Sequence, residues 1–158
     1  MAQDNENNAE IGQNSQPDPA FQRFDRLIGK WEMKASTLNA TEDNIIGWNN
    51  FEWILGGFFL KSEGEINFKG TVAQSIEIIA YDPETKTFPS KVYSSMSGDV
   101  LPYEWDVHGN TVIHKGSGAT YTGTLSEDGN TFTGSWRPDA GVESNDGNTY
   151  DAIMIRVE

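Results

Sequence analysis

The sequence predicts an all-β protein: a single up-and-down antiparallel β-barrel of about ten strands, with a short N-terminal helix closing one end. Three observations predict it. Glycine and aromatics are abundant, with Gly 16, Phe 8, Trp 5 and Tyr 5 in 158 residues, which suits short strands joined by tight turns. Period-two segments follow one another from Lys30 to the C-terminus with only short connections between them. Ahead of them stands Phe24–Met33, FDRLIGKWEM, where a helical pattern runs into Gly-Lys-Trp and becomes a strand.

Residues 1–18 are rich in Asn, Gln, Asp and Glu and read as a disordered tail, leaving 19–158 as the barrel domain. Asp18 is placed to cap a helix with Pro19 in its first turn, where the missing N–H costs nothing. Phe21, Phe24, Leu27 and Ile28 form its apolar face, and Gly29 stops it. A helix of about ten residues is not stable alone, so that face must cover something apolar.

Trp31, Met33, Ala35 and Thr37 then alternate with polar residues as a half-buried strand. Ile45–Leu55 and Phe58–Phe68 flank Gly56-Gly57, a hairpin signal. Ser62 and Gly64 fall on the apolar face of the latter, which marks a bend or a space that something else fills. Beyond Lys69-Gly70, a count of apolar residues in Thr71–Tyr81 gives an inner set of Val72, Gln74, Ile76, Ile78 and Ala80. Asp82-Pro83 is a turn. Phe88–Met96 and Val100–Val107 make the next pair, with Pro102 expected at an irregular or edge position. Turns at His108-Gly109-Asn110, Asp128-Gly129-Asn130 and Asp146-Gly147-Asn148 read as hairpins joining the last strands. An open sheet of so many strands would leave two hazardous edges, and no long crossover suggests a sandwich, so a closed barrel is favoured. A barrel of this size encloses room for one small ligand.

Composition excludes several functions. Without cysteine there is no disulfide, thiolate nucleophile or zinc–thiolate site. A formal charge of -13 repels nucleic acid and anionic membrane surfaces, so neither is an expected partner. The longest apolar run, Trp53–Leu60, is far short of a membrane span. Met1–Gln16 has no basic start or apolar run of a secretory signal, which places the protein in the cytoplasm. No Walker loop, G-x-S-x-G, H-E-x-x-H or dinucleotide fingerprint is present, so no catalytic residue and no metal ligand is assigned.

The order GKW, FEWILGGFF and YDPETKTF, spread over Phe21 to Arg156, resembles a bacterial lipocalin-like (calycin) family known as a domain of unknown function. That resemblance implies a barrel whose Trp31 packs at the closed end against a basic residue of the last strand, the place of Arg156. A guanidinium over an indole contributes about 0.5–2 kcal/mol, a structural role. The chain is also similar, more distantly, to nitrobindin, a haem-binding barrel with a histidine on a late strand. Here His108 sits in a turn and nothing around His114 matches the nitrobindin pattern, so no cofactor, haem included, is expected.

Candidate cavity residues are Trp48, Asn50, Glu52, Phe58, Gln74, Tyr103, Glu104, His114 and Tyr121. Convergence of Glu52, Gln74 and His114 would set an acid, an amide and an imidazole around a polar headgroup or a carbonyl compound. Trp48 and Trp53 lie an odd number of residues apart on one strand, so one of them must face outward. The expected function is binding of a small, largely apolar molecule in the cavity. The alternatives are an enzyme with His114 or a buried glutamate as general base, and an interaction protein that forms a homodimer through exposed aromatics.

Overall fold

A computed structural model describes residues 16–158; residues 1–15 of the expected tail lie outside the described residues. A 3-10 helix, Pro19–Leu27, precedes ten strands: β1 Gly29–Thr37, β2 Ile45–Ile54, β3 Phe59–Phe68, β4 Thr71–Ile79, β5 Phe88–Ser94, β6 Val100–His108, β7 Thr111–Gly116, β8 Ala119–Leu125, β9 Thr131–Pro138 and β10 Tyr150–Arg156. Each strand pairs antiparallel with its neighbour in the chain, and β1 pairs with β10 to close the barrel. Among the described residues no helix is long and apolar enough to cross a membrane.

The helix is capped as its sequence predicts: the Asp18 carboxylate accepts from the Ala20 N–H at 2.8 Å, and Pro19 opens the first turn. Its buried residues, Phe21, Phe24 and Leu27, recur every third position. That spacing aligns side chains along a three-residue turn, which is why the segment winds as a 3-10 helix. The face it buries closes one end of the barrel, against Phe51, Leu60, Ile79, Phe88 and Trp105. A smaller cluster, Ala35, Ile45 and Ala152, lies at the other end.

Gly29 and Trp31 fix the closed end. Gly29 has φ +120°, and a Cβ there would come within 2.3 Å of the Glu158 carbonyl oxygen, so the position excludes any side chain. Trp31, 1% exposed, donates its indole N–H to the Leu27 carbonyl at 2.9 Å. The Arg156 guanidinium lies 4.3 Å from the Trp31 ring centroid and donates to the carbonyls of Arg26, Ile28 and Gly129. One side chain thus ties the last strand to the helix end and to the β8–β9 turn. Arg156→Ala is expected to cost about 2 kcal/mol by thermal unfolding while leaving affinity for any lumen ligand within about twofold. A parallel fall in ligand affinity would show that the clasp and the lumen are not independent.

Two turns differ from expectation in detail. Leu55–Gly57 forms a short 3-10 turn, with Leu55 and both glycines at positive φ, in place of a two-residue hairpin. The Gly147-Asn148 turn ends the 139–149 connection from β9 to β10 and does not form a tight hairpin of its own. Pro102 pairs with Lys91 on β5 but lies beyond the end of β7, whose pairing starts at Tyr103↔Gly116. Its missing N–H therefore leaves no ladder bond unmade on that side.

Candidate functional site

One inward row crosses six strands. Phe88, Trp105, His114, Tyr121, Trp136 and Tyr150 are direct cross-strand partners from β5 to β10. Side chains opposite each other on antiparallel strands touch, so the row is a continuous aromatic belt interrupted by one imidazole. His114 stacks on Trp105 with centroids 3.9 Å apart and planes 19° apart, and meets the Trp136 ring edge-on at 5.4 Å.

Facing the belt from β4 is Glu77, 7% exposed. Its Oε2 accepts three hydrogen bonds: from the Ser90 hydroxyl at 2.6 Å, the Trp105 indole N–H at 2.7 Å, and His114 Nε2 at 2.9 Å. Burial alone would push the carboxyl pKa up. The His114 charge and the hydrogen bonds from His114, Ser90 and Trp105 outweigh it, so the folded value lies below the ordinary one. Glu77 is therefore a buried carboxylate, and its partners make its burial tolerable. The pair leaves His114 Nδ1 without a hydrogen bond among the described residues. An imidazole oriented by a carboxylate with its second nitrogen free is the arrangement of a general base or a ligand-binding imidazole.

Tyr121 stands directly opposite His114 on β8, beside Trp136 and Phe132. Its phenol lies over Gly123 and Gly134, themselves cross-strand partners: a Cβ on either would come within 2.6 Å of Tyr121 Oη. Two glycines thus make a shelf for one ring. Gly64 does the same for the Asn49 amide, which donates to the Ser62 hydroxyl at 2.8 Å. Burial and the neighbouring Tyr150 raise the Tyr121 pKa far above a phenol's ordinary value, and burial with Tyr103 pushes Tyr150 up to about 12. Both hydroxyls remain protonated.

These groups surround a cavity of about 240 Å³ with apolar walls from Met33, Phe51, Phe132, Trp136 and Met154. Ser75 on its rim is exposed, so the cavity reaches the surface beside β4.

The structure brings His114, Tyr121 and Tyr103 into the lumen and turns the other expected cavity residues away. Phe51 and Trp53 point inward on β2, so the pleat puts Trp48, Asn50 and Glu52 on the outer face. Trp48 borders the cavity at the β2 wall, but its side chain has the outward parity and is 37% exposed, and Glu52 pairs with Lys61 at 2.7 Å outside the barrel. Gln74 also faces out, beside Glu65, because Ile79 and Glu77 take the inner positions of β4. Val72 and Ile76, expected inside, are exposed. Glu104 lies between inward Tyr103 and Trp105 and so faces outward, and Phe58 is exposed at the β2–β3 turn. The acid that meets His114 is Glu77, not Glu52.

The signal for Glu77 lay in turn length. Lys69-Gly70 is a two-residue turn with φ 54° and 98°, so Phe68 and Thr71 are partners and share a face. With Phe68 inside, Ser75, Glu77 and Ile79 must be inside too. His108 turns outward toward Asp106 at 2.8 Å, as its turn position implies. The cavity beside His114 is below the usual ~300–1,000 Å³ of small-molecule sites, and a porphyrin does not fit it without repacking the belt.

A family profile described as a protein of unknown function, DUF1579, matches residues 16–155. The chain belongs to the DUF1579 family. This DUF1579 barrel is also similar to the crystal structure of Rv2717c from M. tuberculosis, with a TM-score of 0.59 and 12% identity over 90% of this chain and 100% of that one. At that identity the likeness is one of fold. No curated protein matches the chain.

Proposed function

We propose that the protein is a cytoplasmic binding module that holds a small, largely apolar molecule in its barrel lumen. The observation that carries this reading is the 240 Å³ cavity, where apolar walls converge on a buried Glu77–His114 pair. Such a mixture, mostly apolar with a few fixed polar groups, is the composition of small-molecule sites. Its volume suits a single-ring compound better than a long acyl chain.

Native mass spectrometry of the purified protein would reveal a carried ligand, and a melting-curve screen of small aromatics and fatty acids would find a replaceable one. A ligand at a hundred times its Kd raises stability by about 2.7 kcal/mol. An empty protein whose melting curve no compound moves would sink the proposal.

A second reading rests on His114 Nδ1, which has no hydrogen-bond partner among the described residues. Glu77 accepts from Nε2 and orients the ring, so Nδ1 is the atom placed to take a proton from a substrate bound against Trp136 and Tyr121. Turnover of a carbonyl compound with a pH–rate profile that disappears in His114→Gln would establish an enzyme. Unchanged turnover in that variant would exclude His114 as the base.

A further inference from the structure

Three donors meet at Glu77 Oε2, and none of them bonds to the other oxygen, Oε1. Glu77 is 7% exposed and lines the cavity. Among the described residues the Tyr121 hydroxyl is the one fully buried side-chain polar atom without a partner, so Oε1, which has no partner either, keeps some open surface. The inward parity of Glu77 on β4 turns that surface to the lumen. His114 Nδ1 meets the same conditions from β7.

We infer that the lumen selects single-ring molecules carrying an O–H or N–H donor, such as phenols, and that Glu77 Oε1 accepts the hydrogen bond. This deepens the lumen-binding reading and rests on it. Burial opposes ionisation of Glu77, but the His114 charge and the three hydrogen bonds outweigh it, so near neutral pH Oε1 carries no proton and can only accept. The neutral imidazole holds its proton on Nε2, toward Oε2, which makes Nδ1 a second acceptor. A protonated ring donates from Nδ1 instead and leaves Oε1 an acceptor. An apolar ring that covers Oε1 takes the carboxylate out of water without replacing the hydrogen bond it loses, which penalises ligands with no donor. The Trp136 indole N–H and the Tyr150 hydroxyl also line the cavity and can donate to a ligand, but both are uncharged. A hydrogen bond to an ionised acceptor is about twice as strong as one between neutral groups, so a ligand's donor counts for more here than its acceptor.

Three single-ring probes of matched size separate the possibilities in titrations of the full chain at mildly alkaline pH: p-cresol with a donor, benzonitrile with an acceptor only, and p-xylene with neither. p-Cresol is expected to bind about tenfold tighter than p-xylene and about fivefold tighter than benzonitrile. In Glu77→Gln the amide oxygen is the group that can serve Ser90, Trp105 and His114, which leaves the NH2 in place of Oε1. That variant should bring p-cresol and benzonitrile within about twofold of each other. The wild-type ranking is a test by itself, whether or not the variant folds. Benzonitrile or p-xylene binding wild type as tightly as p-cresol, or a folded Glu77→Gln that keeps the full p-cresol preference, overturns the inference while leaving lumen binding intact. Failure of all three probes to bind overturns both.

Discussion

Glu77→Ala is expected to destabilise the protein by about 3–5 kcal/mol, the cost of removing one partner from a buried, hydrogen-bonded charge pair. The loss is large because one oxygen serves three donors. Without it the Ser90 hydroxyl, the Trp105 indole N–H and His114 Nε2 are all left inside the barrel without their acceptor. Glu77→Gln keeps an acceptor oxygen and should cost clearly less. Denaturant unfolding of the two variants checks this, and a loss below about 1 kcal/mol in Glu77→Ala would show that the cluster adds little to stability.

The same carboxylate sets a pH dependence. Its folded pKa lies below that of the unfolded chain, so its contribution is fully present above the unfolded value of ~4.3 and disappears as pH falls through the folded value. Wild type should therefore start to lose its advantage over Glu77→Gln as pH falls below about 5, and lose more of it with each further step down. A gap between the two that stays constant down to pH 3 would contradict the assignment of Glu77 as the group with the lowered pKa.

Trp31→Ala is expected to cost about 3–5 kcal/mol, as for other fully buried large aromatics. It removes the plug, the indole bond to the Leu27 carbonyl and the surface on which Arg156 rests. At this chain length each kcal/mol corresponds to about 2–4 °C in Tm. A double-mutant cycle with Arg156→Ala should give a coupling of about 0.5–2 kcal/mol, the cation–π part of the contact. Strict additivity would mean that Arg156 acts only through its carbonyl contacts.

Much of the fold is legible from local chemistry. The Asp18 cap, the Gly29 stop, the Trp31 plug and all ten strands follow from capping, turn residues and period-two alternation, each set within a few residues. The 3-10 winding was written in the spacing of Phe21, Phe24 and Leu27, which fits three residues per turn as well as it fits an α-helix. The site was harder to read, because the lumen is partly polar at mid-height. On β4 the more apolar set, Val72, Ile76 and Ile78, faces outward, and Ser75 and Glu77 face inward. Amphipathicity taken alone chooses the wrong face there, and a choice wrong by one residue reverses the whole strand. The two-residue turn at Lys69-Gly70 carries the correct parity, since it pairs Phe68 with Thr71.

The sequence by itself determined an all-β chain, its ten strands, its meander order and its closed end, because each is governed by interactions among neighbours in the chain. Only the tertiary structure decided that Ser90, Trp105 and His114 meet at one oxygen of Glu77, and that the Tyr121 hydroxyl lies on a two-glycine shelf with no partner among the described residues. Glu77 and His114 are 37 residues apart in the chain. Nothing local joins them; the closure of the barrel sets how far each inward side chain reaches across the lumen and which groups it finds there.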